Sequence, residues 1–352
     1  MFMRLLIVTQ KVDKEDDNLG PFYYWFREFA KHFQEVKIIA SSVGDISLPA
    51  NVRVYGLGKE RGIPRWRRIL KYLELFSYHY ARSDAVLFHQ IPEYALAAAP
   101  FILSLKKTRA LWYAHGAVSG KLALAERLVD YVLTSSPAGF RLPSKKVISV
   151  GQAIDTELFQ PPSSPNGAFS GIRLLSLGRI APVKNYETLI RAVSLLKKSW
   201  QRPWVLSIIG GPKLERDSEY LGSLKRLGVE EELASYVHFH GARPFSEIPA
   251  YFQEHDVFLN LSSTGSLDKA VLEAMASGLS VISANEAYRS LLPPAYFLER
   301  SNPELLAERI KMLADEPRPN RILRDIVCRE HGLEGTVLKI ADIIRGSGGT
   351  LV

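Results

Sequence analysis

The sequence predicts an α/β fold made of two doubly wound domains, and three observations support this prediction. Short apolar runs alternate with amphipathic helical stretches along the chain, a pattern typical of parallel sheets covered on both faces. A stretch rich in proline, glycine and serine at residues 161–171 separates two halves that repeat this alternation. The length of 352 residues corresponds to about two domains of ordinary size.

Each apolar run that is bounded by turn residues is taken as a strand. The expected strands of the first half are residues 5–9, 36–40, 52–55, 85–88, 110–114, 131–134 and 147–150. Those of the second half are residues 173–177, 205–209, 237–240, 257–261, 280–283 and 296–298. The domain organisation is then a first domain at 1–160, a linker at 161–171, a second domain at 172–330, and a helix with a flexible tail at 331–352. Because ligands of such sheets collect beyond the carboxyl ends of the strands, the site is expected in a cleft between the domains.

Composition excludes several classes of protein. Apolar residues make up 47% of the chain and charged residues 23%, so a core can form. The single cysteine, Cys328, cannot form an intrachain disulfide, which fits a reducing, cytoplasmic compartment. The first residues lack the apolar segment of a signal peptide, and the run at 94–105 is too short and too interrupted, by Pro100, to span a bilayer.

Positive charge is concentrated in the first half. The net charge is +8, and residues 51–110 alone hold eleven Lys and Arg against four Asp and Glu. After Pro64, apolar residues recur at helical spacing, and basic residues crowd the first turns. The apolar positions are Trp66, Ile69, Leu70, Leu73, Phe76 and Tyr80, and the basic ones Arg65, Arg67, Arg68 and Lys71. This helix either places residues 65–68 on an anionic membrane or faces its own sheet with solvated arginines outside. Nucleic acid is not expected as a partner, because no recognisable binding module is present.

The loop after the strand at 173–177 has the features of a diphosphate site. Gly178 permits a sharp exit from the strand, and Arg179 and Lys184 flank the loop before a helix that begins near Asn185. Two cations next to a helix N-terminus suit a diphosphate.

The segment 260–283 offers a second anion site. A small polar loop leads into a helix expected from residue 267 to residue 277, and the amides of residues 264–269 form its start. Glu273 lies two turns into this apolar helix, where a buried carboxylate needs hydrogen-bond donors such as ribose hydroxyls. The alternative is a glutamate on the surface of an amphipathic helix.

These motifs together resemble a known family. The order GR…K, IIGGP, HFHGARPFSEIPAYFQEHDVFLNLS and LDKAVLEAMASGLSVI, with GQAIDTELFQP at residues 151–161, is similar to the retaining glycosyltransferases of family four. The resemblance implies the GT-B fold, in which two Rossmann-like domains face each other across a cleft. It also implies sugar transfer from a nucleotide-sugar donor with retention of configuration, without a metal or another cofactor.

The resemblance also assigns roles to residues. Arg179 and Lys184 would bind the diphosphate and stabilise the leaving group, and Glu273 would hold the ribose. Arg243 would neighbour the base. The remaining donor-binding positions would be Gly178, Ser266, Leu267, Asp268, Lys269 and Ala270. One departure concerns the family's pair of glutamates, because Gly265 stands where the first, sugar-contacting glutamate is expected. Asp268 or Lys269 are candidates to replace that contact.

In the first domain, two histidines follow strands at their carboxyl ends. The resemblance gives His115 a catalytic place beside the donor sugar, whereas His89 is a weaker, acceptor-side candidate that is equally well explained as structural. Gly20 precedes a helix after a loop that we expect to shape the acceptor pocket. Asp16 and Asp17 in this loop are expected to face solvent. His238 and His240 alternate on one strand without an apparent third ligand, so no metal site is expected.

The sequence thus predicts a retaining, metal-independent glycosyltransferase that acts on a glycan or lipid-linked acceptor in cell-envelope polysaccharide synthesis. It would work in the cytoplasm, as a peripheral protein on the inner face of the membrane. Two alternatives remain open. One is a nucleotide-sugar 2-epimerase on the same fold, and the other is a nucleotide-sugar-binding protein without turnover.

Overall fold

A computed structural model describes residues 3–163 and 170–346. The twelve strands are β1 (Arg4–Val12), β2 (Glu35–Val43), β3 (Val52–Gly56), β4 (Ala85–His89), β5 (Thr108–Trp112), β6 (Tyr131–Thr134), β7 (Val147–Ser149), β8 (Ile172–Leu177), β9 (Trp204–Ile209), β10 (Val237–Gly241), β11 (Val257–Asn260) and β12 (Ser280–Ser283). The α-helices are α1 (Gly20–His32), α2 (Arg65–Ala81), α3 (Pro92–Ala97), α4 (Ala99–Ile102), α5 (Gly120–Leu128), α6 (Tyr186–Ser199), α7 (Glu215–Glu230), α8 (Ile248–Glu254), α9 (Lys269–Ala276), α10 (Pro303–Leu313), α11 (Arg321–Glu330) and α12 (Leu333–Arg345).

Contacts divide the chain into two compact units. Unit 1 consists of Met1–Ala153 and His331–Val352, and unit 2 is Ile154–Glu330. Residues 154–160, which were predicted to belong to the first domain, are therefore part of unit 2. Phe159 explains this boundary, because its ring packs against Phe245 and Phe252 of unit 2. Of the predicted linker, residues 164–169 lie outside the described part of the chain, as do residues 347–352 of the predicted tail.

Unit 1 is built on a seven-stranded parallel sheet in the order β3-β2-β1-β4-β5-β6-β7. Alternate residues of β1 enter two separate cores, since successive side chains of a strand point to opposite faces. Leu5 joins the core formed with α1 and α12, and Leu6 joins the core formed with α2, α3 and α5. Both faces are therefore covered, which is why the strands read as continuous apolar runs.

The last helix of the chain, α12, packs on unit 1. Its apolar residues Val337, Ile340 and Ile344 recur at helical spacing and are buried in the same core as Phe29 of α1. The guanidinium of Arg345 donates a hydrogen bond to the carbonyl oxygen of His32. The segment predicted as a separate C-terminal helix thus completes the cover of the first sheet.

Unit 2 is built on a five-stranded parallel sheet in the order β10-β9-β8-β11-β12. Helix α6 packs against α7 and α10, and α9 packs against α11. The strand predicted at residues 296–298 is wrong. The structure has a one-turn helix at Pro294–Tyr296, and Phe297 makes only an isolated bridge to Ser283. Pro294 stands at the first position of this one-turn helix, a position that proline favours.

Candidate active site

The predicted donor-site residues of unit 2 lie around the carboxyl end of β8. Gly178 follows this strand, and its carbonyl oxygen accepts a hydrogen bond from the Tyr186 hydroxyl at 3.2 Å. Gly210, which follows the neighbouring strand β9, has φ +136°, and a Cβ atom there would overlap the Gly178 carbonyl group. Glycine is required at position 210 because the two backbones approach so closely. This packing fixes the start of the loop that carries Arg179 and Lys184.

Lys184 is held by a carboxylate from a distant part of the chain. It ends a one-turn helix, Pro182–Lys184, and its Nζ lies 2.9 Å from Oδ2 of Asp268. Asn260, the last residue of β11, donates a second hydrogen bond from Nδ2 to the same oxygen at 3.0 Å. The Lys184 and Asp268 side chains are only 16% and 15% exposed. The segments that follow β8 and β11 are thereby joined through one ion pair.

Arg179 is more open than Lys184. Its side chain is 42% exposed, and its Nε lies 3.9 Å from Oδ2 of the buried Asp217. Asp217 also accepts hydrogen bonds from the backbone N–H groups of Lys213 and Leu214 at the start of α7. The guanidinium is therefore oriented at long range and stays accessible to an anion.

The loop before α9 is tied down at several points. The Tyr288 hydroxyl donates to the carbonyl oxygen of Asp268 at 2.6 Å, and Asn285 Nδ2 donates to the carbonyl oxygen of Ser266 at 2.9 Å. Leu267 is buried. The helix begins at Lys269, two residues later than predicted. Asp268 is its N-cap by position, but the Asp268 carboxylate bonds Lys184 and Asn260 instead of the helix amides.

Glu273 is buried in α9, with 4% of its surface exposed. Burial raises the pKa of Glu273, because desolvation penalises the carboxylate. Burial also lowers the pKa of Lys269, one helical turn earlier, and the attraction between the two groups opposes both shifts. The surface-glutamate alternative is therefore excluded by the structure. A carboxyl in this environment needs hydrogen-bond donors.

Two other predicted donor-binding residues, Ala270 and Arg243, also lie in unit 2. Ala270 is in the first turn of α9 and is half-buried. Arg243 follows β10 at its carboxyl end, and its Nη1 lies 3.8 Å from Oε2 of Glu247. In unit 2, all the predicted donor residues thus belong to the carboxyl-terminal side of one sheet. Of these, Lys184 and Asp268 are joined by a direct hydrogen bond.

In unit 1, the two candidate histidines have different surroundings. His115 follows β5 and is exposed, and its Nδ1 accepts a hydrogen bond from the N–H of Ala117 at 3.1 Å. This bond makes Nε2 the protonated nitrogen of the neutral ring. His89 is buried, with Nδ1 2.9 Å from the Thr9 hydroxyl and its ring 4.1 Å from that of Phe22. Gly20 begins α1 and is buried, and its N–H donates to the carbonyl oxygen of Asp16.

The acidic loop before α1 is held by a lysine. Lys11 Nζ lies 2.9 Å from Asp13 and 2.6 Å from Asp16. Across residues 3–163 and 170–346, no group of three or more His, Cys, Asp and Glu side chains could hold a metal ion. His240 Nε2 lies 3.2 Å from the Ser207 hydroxyl, and desolvation lowers the pKa of His240.

The apolar stripe predicted on α2 divides into two parts. Phe76 and Tyr80 are buried, together with Tyr72, whereas Trp66 and Leu70 are each 59% exposed. Beside them, the Arg67 guanidinium lies 5.1 Å from the centre of the Trp66 ring, and Arg65 is exposed. Arg68 instead donates to Ser41 Oγ and to the Ile63 carbonyl oxygen. The core-facing interpretation therefore holds for the second half of this helix, and no described helix is long and apolar enough to cross a membrane.

A cavity of about 440 Å³ lies at the other end of the second sheet, at the amino-terminal ends of β8, β11 and β12. Arg173, Asp256 and Arg318 are in its wall, and it contains none of the predicted site residues. Sequence reasoning missed Asn260, Asp217 and the tyrosines that hold the loops. The signal for Asn260 is a polar residue at the end of an apolar strand, whereas nothing local marks Asp217.

Comparisons with known proteins find a family match for part of the chain. Residues 171–316 match the sequence model of the family Glycosyl transferases group 1. A human GDP-Man:Man(3)GlcNAc(2)-PP-Dol alpha-1,2-mannosyltransferase is 31% identical over 119 residues, which are 33% of this chain and 24% of that protein. The chain spans between about a quarter and two-fifths of the length of the curated relatives it matches.

Solved structures match nearly the whole chain. Sucrose-phosphate synthase from Thermosynechococcus elongatus superposes with a TM-score of 0.80 at 16% identity, over 98% of this chain and 99% of that one. The Anabaena protein HepE, solved with UDP and glucose, gives 0.76 at 15% identity over 97% and 99%. The predicted resemblance to a GT-B glycosyltransferase is thus confirmed, through the fold of the whole chain and through the family match over residues 171–316.

Proposed function

We propose that this protein is a retaining glycosyltransferase that moves a sugar from a nucleotide-sugar donor to a lipid-linked or glycan acceptor. The observation that carries the proposal is the cluster at the ends of β8 and β11, where Lys184 is fixed by Asp268 and Asn260 and Arg179 stays accessible. This cluster lies in the region that matches Glycosyl transferases group 1.

The two cations supply the chemistry that the departing diphosphate needs. As the bond between the sugar C1 and the diphosphate oxygen breaks, negative charge develops on the diphosphate, and preorganised positive charge lowers the barrier. The acceptor oxygen bonds to C1 from the same face, and the acceptor proton passes to the departing diphosphate. In our proposal, Arg179 and Lys184 stabilise the charge on the departing diphosphate without a metal. A chelator should therefore leave the rate of sugar transfer unchanged.

The remaining proposed roles follow from burial and hydrogen-bonding capacity. Glu273 is desolvated, and two ribose hydroxyls would supply the donors that a buried carboxyl needs. Arg243 follows β10 and would neighbour the base. His115 presents Nε2–H as a donor, since Ala117 occupies Nδ1, and would hydrogen-bond the donor sugar.

The exposed part of α2 supports a membrane-bound acceptor. Trp66, Ile69 and Leu70 are exposed next to Arg65 and Arg67, and exposed aromatic and aliphatic residues beside arginines suit the headgroup region of an anionic bilayer. We propose peripheral binding to the cytoplasmic face of a membrane through this surface.

Membrane binding is tested by co-sedimentation with vesicles that contain phosphatidylglycerol. The double variant Arg65→Glu/Trp66→Ser should lose binding. The matched control is Arg321→Glu/Ile322→Ser, which changes the same kinds of exposed residue on α11 and should keep binding. Equal sedimentation of both variants would exclude the α2 surface.

The catalytic proposal is tested first by donor binding. Calorimetry with UDP, GDP, ADP and their common sugar conjugates should find one nucleotide that binds. Lys184→Ala should weaken this binding roughly ten- to a hundredfold, which corresponds to the loss of one charge-assisted hydrogen bond. The control is Lys198→Ala, because Lys198 is an exposed lysine of α6 that pairs with Glu231, the residue that follows α7.

The outcome of that assay decides between the functions. If no nucleotide binds, the transferase proposal fails. If a nucleotide sugar binds and is neither hydrolysed nor transferred, the protein is a binding module instead. The anomeric configuration of the product, read by NMR, tests retention, and an epimerised sugar would indicate the 2-epimerase.

A further inference from the structure

We propose that Asp268 recognises a hydroxyl or amide N–H of the donor sugar and so contributes to the choice of sugar. This inference rests on the proposed function, since it assumes that a nucleotide sugar binds at Lys184. Asp268 is one of the two candidates for the sugar contact that Gly265 lacks. Although it is the N-cap of α9 by position, its side chain makes no capping hydrogen bond to that helix.

The carboxylate of Asp268 is fixed on one side only. Lys184 Nζ and Asn260 Nδ2 both bond Oδ2, at 2.9 and 3.0 Å. No hydrogen bond from the described residues reaches Oδ1. A half-buried carboxylate with one saturated oxygen and one open oxygen can accept a hydrogen bond from a ligand.

The surrounding network determines which way the groups point. The N–H of Asn285 donates to Ser283 Oγ, and the Ser283 hydroxyl donates to Oδ1 of Asn260. The amide of Asn260 must then present Nδ2 to Asp268, so Asp268 acts as an acceptor. The Tyr288 hydroxyl holds the Asp268 carbonyl oxygen at 2.6 Å and fixes the backbone as well. The site is therefore preorganised before any ligand arrives.

The chemistry of a nucleotide sugar identifies the group that Oδ1 can accept from. The diphosphate at Lys184 is anionic, has no donor, and is repelled by Asp268. The sugar is bonded directly to the diphosphate, so its hydroxyl groups, or the N–H of an acetamido group, are the nearest donors. Gly265 adds a reason for the placement. Its φ of +64° disfavours the glutamate that the family resemblance implies at that position, because residues other than glycine have a strained backbone at positive φ.

The test compares a nucleoside diphosphate with its sugar conjugate. The probes are the pairs UDP and UDP-glucose, GDP and GDP-mannose, and ADP and ADP-glucose, and the pair that the wild type binds is carried forward. The variant is Asp268→Asn. Because Lys184 and Asn260 are both donors, the new amide must turn its oxygen toward them and its NH₂ toward the open side. A donor then stands where the sugar needs an acceptor, while the internal hydrogen bonds persist.

Asp268→Asn should leave the diphosphate affinity unchanged or a few-fold tighter, since Lys184 loses an anionic partner. The affinity of the sugar conjugate relative to the diphosphate should fall about tenfold or more. The matched control is Asp217→Asn, which removes the carboxylate next to the other cation, Arg179, and should shift both ligands equally. Asp268→Glu, which keeps the charge but moves the carboxylate, should also lower the relative affinity of the sugar conjugate.

An unchanged ratio of the two affinities in Asp268→Asn and Asp268→Glu would overturn the inference, and Asp268 would then serve only to neutralise Lys184. Loss of diphosphate binding at an unchanged melting temperature would overturn it too, since Asp268 would then position Lys184. If the wild type binds none of the six probes, the proposed function fails, and that result is distinct from both.

Discussion

The close approach of Gly210 to Gly178 gives the sharpest prediction from the structure. A Cβ atom at Gly210 would lie closer to the Gly178 carbonyl group than the 3.0 Å limit that real contacts respect, and φ +136° disfavours any side chain there. To accept the methyl group of Gly210→Ala, the carbonyl would have to retreat by roughly 1 Å, a displacement that at an active site can cost about a hundredfold in rate.

The carbonyl cannot retreat freely. Tyr186 holds its oxygen, the N–H of Gly178 bonds the Ile209 carbonyl oxygen at 2.9 Å, and the N–H of Gly210 bonds the Gly241 carbonyl oxygen at 2.8 Å. We expect a loss of about 3 kcal/mol or more in the free energy of unfolding, combining backbone strain with lost packing. Arg179 follows Gly178 directly, so nucleotide binding should also weaken.

The matched control is the neighbouring glycine. A Cβ at Gly211 would lie 3.4 Å from the Cβ of Ala242, an ordinary contact, and its φ is not in the left-handed region. Gly211→Ala should therefore change stability by less than about 1 kcal/mol. Thermal and urea unfolding measure the difference, and calorimetry with the nucleotide that binds the wild type measures the effect on the site. Equal stability of the two variants would refute the reasoning from close approach.

Two further predictions follow from burial. Because burial raises the pKa of Glu273 from 4.5 to about 7, the folded state binds more protons than the unfolded state between these values. The unfolding free energy of the wild type should therefore decrease relative to that of Glu273→Gln as the pH rises from 4.5 to 7, and parallel pH profiles in urea unfolding would contradict this. Ile340→Ala on α12 should destabilise unit 1 by about 2–5 kcal/mol, because Ile340 is fully buried in the core with α1. The control is Leu338→Ala, at a position that is 41% exposed. Calorimetric melting measures both variants, and equal destabilisation by the two would contradict the burial of Ile340 against α1.

The strands of this protein were predictable because both faces of each sheet are covered. All twelve observed strands overlap predicted ones. The central strands are apolar because they are buried on two sides, whereas the edge strands β3, β7 and β10 are only partly buried. The failure at residues 296–298 has the opposite cause. A three-residue apolar run carries no periodicity, and the prolines just before it determine the backbone.

The candidate site was predictable only in part. Arg179, Lys184 and Asp268 stand in recognisable segments, but the ion pair between Lys184 and Asp268 joins positions 84 residues apart. Asn260 completes it from the end of another strand. No local pattern encodes such a contact, because it depends on β8 and β11 being neighbours in the sheet.

The amino-acid sequence by itself determined the alternation of strands and helices and the position of the charged loops. These features depend on near neighbours in the chain, through periodicity and turn chemistry. Only the tertiary structure decided that His115 is exposed while His89, at an equivalent strand end, is buried against Phe22 of α1. It also decided that α12 covers the first sheet and that Trp66 and Leu70 stay uncovered. The physical reason is the same in each case: exposure depends on which distant element packs over a residue, and that packing is a property of the whole fold.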